Sequence, residues 1–219
     1  MTKYSVVYAD PAWAFKTWSE KGTGRGAVAH YRVSPFEALS TMDIAQYAAK
    51  DCALFLWTTD THLPQALKLI EVWGFRYSTV AFTWAKTAKH ADLNALAANT
   101  TKDFPFSGGY WTRANPEQCL LATRGHPKRV AANISQLLIA PRREHSRKPD
   151  EIYDRIERLI SRGPYVELFA RRTPPAGWDA KESDELGLFD HGPVKTRNRP
   201  SNLRGDMILP WSRSQKSKP

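Results

Sequence analysis

The chain has 219 residues, 42% of them hydrophobic and eight of them tryptophan, enough for one well-packed domain and short for two. Its 32 Lys and Arg against 22 Asp and Glu give a formal charge of +10, a surplus that favours polyanionic partners because neutralising phosphates releases condensed counterions. Cys52 and Cys119 lie far apart in apolar runs with no CxxC pair, which argues against a metal site and a disulfide framework. No apolar run approaches the roughly 18 residues of a membrane span, so a soluble, cytoplasmic protein with reduced, buried thiols is expected.

In chain order, Tyr4–Ala9 reads as a short buried strand that stops at Asp10-Pro11, where the proline cannot donate to a ladder. Residues 16–32 are polar and glycine-rich and read as a loop, but no Gly-Lys-Ser/Thr follows Gly22, Gly24 and Gly26, so it is not a phosphate-binding P-loop. Ser34 and Glu37 have capping-box spacing for a short helix, and a second helix is expected over Ser40–Ala49. Ala53–Trp57 is a second buried strand. Asp60 or Thr61 then caps a helix with Leu63, Leu67, Ile70 and Trp73 on one face, ended by Gly74.

Val80–Trp84 is a third strand. Residues 87–111 lack periodicity, and so long a structureless stretch in a compact domain is functional or disordered. Gln118–Thr123 is a fourth strand, and Ala140–Lys148 is strongly basic. The next helix has Asp150 and Glu151 in its first turn, where the dipole favours them, and Ile152, Ile156, Leu159 and Ile160 inward. Gly163 ends it and Tyr165–Phe169 is a fifth strand. Strands alternating with helices indicate an α/β fold with an open, mostly parallel sheet flanked by helices, which binds ligands at the carboxyl ends of its strands. The domain is expected over residues 1–182, with 183–219 a basic, irregular tail.

The chemistry concentrates at Asp10-Pro11-Ala12-Trp13, directly after the first strand. An adenine amine is a poor nucleophile because its lone pair is delocalised into the ring. Asp10 accepting one amine proton, with the Pro11 carbonyl accepting the other, would draw that nitrogen towards tetrahedral geometry and aim the lone pair at an electrophilic methyl group. Trp13 would stack on a base rotated out of its helix. These four residues alone also fit a plain Asp-Pro turn with Trp13 in the core.

The wider pattern resembles the MT-A70 family of adenine N6-methyltransferases. The matching pieces include Tyr8-Ala9-Asp10-Pro11-Ala12-Trp13, Leu54-Phe55-Leu56-Trp57-Thr58-Thr59, Trp84-Ala85-Lys86, Glu117-Gln118-Cys119-Leu120-Leu121, Lys148-Pro149-Asp150-Glu151-Ile152-Tyr153 and Glu167-Leu168-Phe169-Ala170-Arg171, in family order over roughly residues 4–180. The resemblance implies a Rossmann-like methyltransferase fold with the catalytic motif N-terminal to the cofactor motif, and S-adenosyl-L-methionine as cofactor. It implies Asp10, Pro11, Ala12 and Trp13 as the catalytic quartet. Lys148 matches a lysine for the cofactor's methionine carboxylate, Glu167, Phe169 and Arg171 match the ribose region, and Asp10 also touches the cofactor. Two positions depart from the family pattern: Ala12 stands where a second proline is usual, and Ser183-Asp184 lie where an amide is common, Ser183 being the expected substitute.

Candidates for nucleic-acid contact are Lys16, Arg25, His30, Lys86, Lys89, Arg113, Lys128, Arg129, Arg142 and Arg143, drawn from the two loops and the basic clusters. A single domain without an appended RNA-binding module resembles the bacterial or phage DNA-modifying members. DNA is therefore the expected partner ahead of RNA, for a monomer or homodimer. The rival readings are an RNA adenine N6-methyltransferase and a catalytically silent nucleic-acid-binding scaffold.

Overall fold

The computed structural model describes residues 2–13, 35–94, 102–106, 111–144, 147–160 and 162–186. Its strands are β1 (Tyr4–Ala9), β2 (Ala48–Thr58), β3 (Arg76–Thr87), β4 (Glu117–Arg124), β5 (Leu137–Pro141), β6 (Tyr165–Leu168) and β7 (Trp178–Lys181). Its helices are α1 (Phe36–Ser40), α2 (Leu63–Val72) and α3 (Glu151–Leu159). The strands form one sheet in the order β5-β3-β4-β2-β1-β6-β7. β4 is antiparallel to both β2 and β3, and every other pairing is parallel, so six strands share one direction. The open, mostly parallel α/β architecture of the sequence reading is thus present, with one reversed strand inside the sheet. None of the described helices is long and apolar enough to cross a membrane.

Side chains alternate across a strand, so a buried strand feeds two cores. Val7, Ala9, Cys52, Leu54, Leu56, Leu120 and Ala122 join Leu39, Ala66, Leu69, Ile70 and Trp73 on the α1/α2 face. Val6, Tyr8, Ala53, Phe55, Trp57, Phe82, Trp84 and Cys119 join Ile152, Tyr153 and Ile156 on the α3 face. Both cysteines are free and buried, one on each face.

The five expected strands are all found, several of them longer. Gly74 ends α2 with φ +80°, a left-handed conformation open to a residue without Cβ. The expected helix over Ser40–Ala49 is not formed. A single 3₁₀ turn, Ile44–Gln46, fills part of it, and Ala48 already pairs with Tyr4 of β1. Strand pairing over apolar Ala48 and Cys52 outweighs the helical propensity of the preceding alanines. The Ser34 cap of α1 falls outside the described residues, and Pro35 occupies the cap position without a side-chain bond. Asp60 and Thr61 lie within a 3₁₀ turn, Asp60–His62, that leads into α2 rather than capping it. Two further strands, β5 and β7, are short edge strands of five and four residues with too little alternation to announce themselves.

Candidate active site

β1 pairs with β2 on one side and β6 on the other, so its exit lies at the centre of the carboxyl edge. Tyr8 faces α3, and the next position of that parity is Asp10, the first residue beyond the strand. Glu167 pairs with Tyr8 across β1 and β6 and faces the same way. Because β4 runs in reverse, its first residue, Glu117, also lies at this edge, opposite Trp84 of β3 and two residues before inward-facing Cys119. Lys86 follows Trp84 by two and shares its face. Lys148 comes just before α3. Period-two alternation and one reversed strand thus bring Asp10, Glu117, Glu167, Lys86 and Lys148 together on the α3 side.

These residues form a chain of ion pairs. The Lys148 ammonium donates to both Asp10 carboxylate oxygens at 2.8 Å and lies 3.2 Å from Glu117 Oε2. Lys86 donates to Glu117 Oε1. Arg171, leaving β6, donates to Asp10 Oδ2 at 2.9 Å. Lys148 also sits 5.4 Å above the Trp57 ring. Burial pushes the Glu117 carboxyl up, but Lys148 and Lys86 outweigh it and hold it below its ordinary value. Burial likewise pulls the Lys148 ammonium down, and Asp10 and Glu117 outweigh that and raise it. The Tyr153 hydroxyl donates to Glu167 Oε2 at 2.7 Å. Burial nevertheless lifts the Glu167 carboxyl above its usual range, against that bond and the nearby Arg172.

A cavity of about 340 Å³ opens on this edge, lined by Tyr8, Asp10, Lys148, Glu167, Phe169 and Arg171 together with Tyr153, Glu144, Arg147 and Arg172. Phe169 has φ +62°, unusual for a bulky residue and of the kind that gathers at functional sites. The twist turns its ring to the α1/α2 face beside Leu168, where it stacks on Trp73 at 6.3 Å instead of projecting beside Glu167.

The Asp10-Pro11-Ala12-Trp13 turn straddles the sheet. The Trp13 backbone N–H donates to the Pro11 carbonyl at 2.9 Å, a three-residue turn. Trp13 itself is buried on the α1/α2 face, its indole N–H donating to the Trp57 carbonyl at 3.0 Å and its ring stacked on His62 at 5.5 Å. Asp10 therefore borders the cavity and Trp13 does not. Ser183 lies in the turn after β7 and is also absent from the cavity wall.

Of the expected nucleic-acid contacts, Lys16, Arg25 and His30 lie outside the described residues. Lys89, Arg113, Arg142 and Arg143 are exposed, and the Arg142 backbone N–H bonds the Thr87 carbonyl at the carboxyl end of β3. Lys86 instead turns inward, its side chain 15% exposed against Glu117. Lys128 and Arg129 are exposed at the opposite edge from Asp10. The preceding His126 N–H bonds Asp51 near the start of β2, and Val130 bonds the end of α3. Reversed β4 carries that basic pair to the edge of the sheet opposite Asp10. The sequence reading missed Glu117, Tyr153 and Arg172. Glu117 had a visible signal, a carboxylate in phase with the inward residues of a buried strand.

An α/β sheet of this order, with an ion-paired aspartate leaving its central strand into a ligand-sized cavity, defines a protein of the Rossmann-like methyltransferase class. The MT-A70 family model matches residues 4–181, and the chain belongs to that family. It is 31% identical over 194 residues to the Type II methyltransferase M.MunI of Mycoplasma sp, covering 81% of this chain and 76% of that enzyme. It is 29% identical to an MT-A70-like N(6)-adenosine-methyltransferase of Arabidopsis thaliana and 27% identical to the N(6)-adenosine-methyltransferase catalytic subunit METTL3 of Homo sapiens. Those matches cover 80% and 77% of this chain but only 23% and 26% of the plant and human proteins.

Proposed function

We propose that this chain transfers the methyl group of S-adenosyl-L-methionine to the N6 amine of an adenine in DNA, the base being rotated out of the duplex. The observation that carries the reading is Asp10 at the exit of the central strand, on the wall of the cavity and held by Lys148 and Arg171. The residues present fit the cofactor. Lys148 and Arg171 supply cations for a carboxylate, Glu167 supplies an acceptor for a sugar diol, and Tyr8 supplies apolar wall. When bound, the cofactor supplies an electrophilic sulfonium methyl group.

The rest is the work of the chain. Asp10 accepts a hydrogen bond from one amine N–H and draws the nitrogen out of conjugation. The Pro11 carbonyl, which already receives the Trp13 N–H, has a second lone pair for the other proton. Trp13, pinned by Trp57 and His62, fixes the turn that aims both acceptors. The DNA reading is supported by a match that spans most of a bacterial Type II methyltransferase and only about a quarter of the relatives named for adenosine. The charge of +10 supports a nucleic acid of either kind.

The test is labelled methyl transfer to adenine-containing DNA and RNA. Transfer to DNA is expected, and Asp10→Ala should lower kcat by at least about a thousandfold (~4 kcal/mol) while cofactor affinity stays within about tenfold. Transfer to RNA alone, or wild-type turnover in Asp10→Ala, overturns the proposal.

A further inference from the structure

Two carboxylates organise this end of the molecule, and the same two chain segments serve both. Lys148 and Arg171 turn inward to Asp10, while their chain neighbours Arg147 and Arg172 turn outward to Asp150. Arg147 reaches Asp150 at 2.8 Å, Arg172 at 2.8 Å and Arg143 at 2.5 Å. Neighbouring Cα atoms are about 3.8 Å apart, so the outer cluster borders the inner one directly.

Three guanidiniums carry about fifteen N–H donors, and one carboxylate accepts about four hydrogen bonds. The cluster therefore keeps two net positive charges and most of its donor capacity. The side chains of Arg143, Arg147 and Arg172 are 37%, 44% and 32% exposed, so that capacity faces water at the mouth of the cavity. Burial nudges the Asp150 carboxyl up, but hydrogen bonds from Arg143, Arg147 and Arg172 outweigh it and hold the group well below the usual carboxylate range. Arg172 is further seated 5.9 Å over the Tyr153 ring. Glu144, next to Arg143 in the chain, lines the neighbouring cavity wall with Asp10 and Glu167. Planar forks converging on one exposed spot present the bidentate donor geometry that both carboxylate and phosphate oxygens take, with more donors here than the one carboxylate uses.

We propose that Arg143, Arg147 and Arg172, gathered by Asp150, form a docking site for a backbone phosphate of the DNA that delivers the adenine to Asp10. The assignment rests on the function proposed above for what lies at Asp10, but its test does not use turnover. Arg143 is the discriminating position because it reaches Asp150 without lining the cavity.

The experiment measures equilibrium binding of the full chain to a mixed-sequence, adenine-containing DNA duplex across a salt series, with cofactor affinity measured separately. Arg143→Gln should weaken DNA binding several-fold and reduce the log-affinity against log-salt slope by about one, with cofactor affinity unchanged. Arg143→Lys keeps the charge and should hold the wild-type slope. Lys68→Gln, which removes an exposed cation paired with Glu71 on α2, should also hold it. A wild-type slope in Arg143→Gln overturns the docking site, and so does an equal loss of slope in Lys68→Gln, which would mark a general charge effect. If the wild type methylates no DNA while the Arg143 slope still falls, the proposed reaction fails and the docking site stands.

Discussion

The Asp10 and Asp150 clusters are made of the same groups on adjoining residues, yet they sit on opposite sides of the boundary with water. In the inner cluster Asp10, Lys148 and Glu117 are 14%, 7% and 8% exposed, whereas Asp150, Arg147 and Arg143 are 46%, 44% and 37% exposed. Taking charges out of water is expensive, so the inner set holds only because every member is matched: two carboxylates share Lys148, Lys86 closes one end and Arg171 the other. The outer set has water as a partner and can afford three cations on one anion. Burial therefore makes the same ion-pair chemistry a fully matched network in one place and a hydrated cluster with spare donors in the other.

The largest break in that comparison is Lys148→Met. It fills much of the same volume but leaves Asp10 and Glu117 facing each other with their shared cation gone. A stability loss of about 3–5 kcal/mol is expected from urea unfolding, together with loss of cofactor binding. A loss below about 1 kcal/mol would mean that water reaches the cluster and that its burial is not what fixes Asp10.

Glu117→Gln is a smaller step, because the amide oxygen keeps an acceptor for one lysine, although its NH2 faces the other and the charge is lost. A cost of about 1–3 kcal/mol at neutral pH is expected. The folded carboxyl lies below its ordinary value of 4.5, so the stability it contributes is present above that value and lost as pH falls through the depressed one. Wild type and variant should thus converge in acid. A gap that stays constant would mean that packing, not charge, sets the difference. On the alkaline side, Lys148 is raised above 10.5, so its contribution should persist up to that pH and fade only beyond it.

Much of this was legible in the chain, and the reasons are local. Tyr4–Ala9 is apolar on both faces and is followed by Asp10-Pro11, so a buried strand with Asp10 at its exit follows from the residues alone. Family order supplied Lys148, Glu167 and Arg171, all of which the fold brings to one cavity. What could not be read is what depends on direction. Alternating strands and helices suggest parallel pairing, and nothing within Glu117–Arg124 announces that it runs backward, yet that reversal brings Glu117 to the site and carries Lys128-Arg129 away. Asp150 fits its expected place at the start of α3, but its side chain makes no cap bond. It is taken instead by arginines whose convergence depends on the loop before α3 and the exit of β6.

The smallest expected effect is the most discriminating. Arg143→Gln removes one of three cations from a hydrated carboxylate that keeps Arg147 and Arg172, so its cost in stability should stay within about 1 kcal/mol. Whatever that cost is, it should shrink towards nothing in molar salt, where the Debye length falls to roughly 3 Å and exposed charges are screened from one another. The Lys148→Met deficit should survive the same salt, because ions do not enter the buried pair. Urea unfolding of both variants at low and molar salt therefore separates the clusters by a property that neither distance nor charge count reveals. If the Arg143 deficit persisted in high salt, Asp150 would be part of the buried framework and its arginines would be committed to the fold, with little left to offer a phosphate.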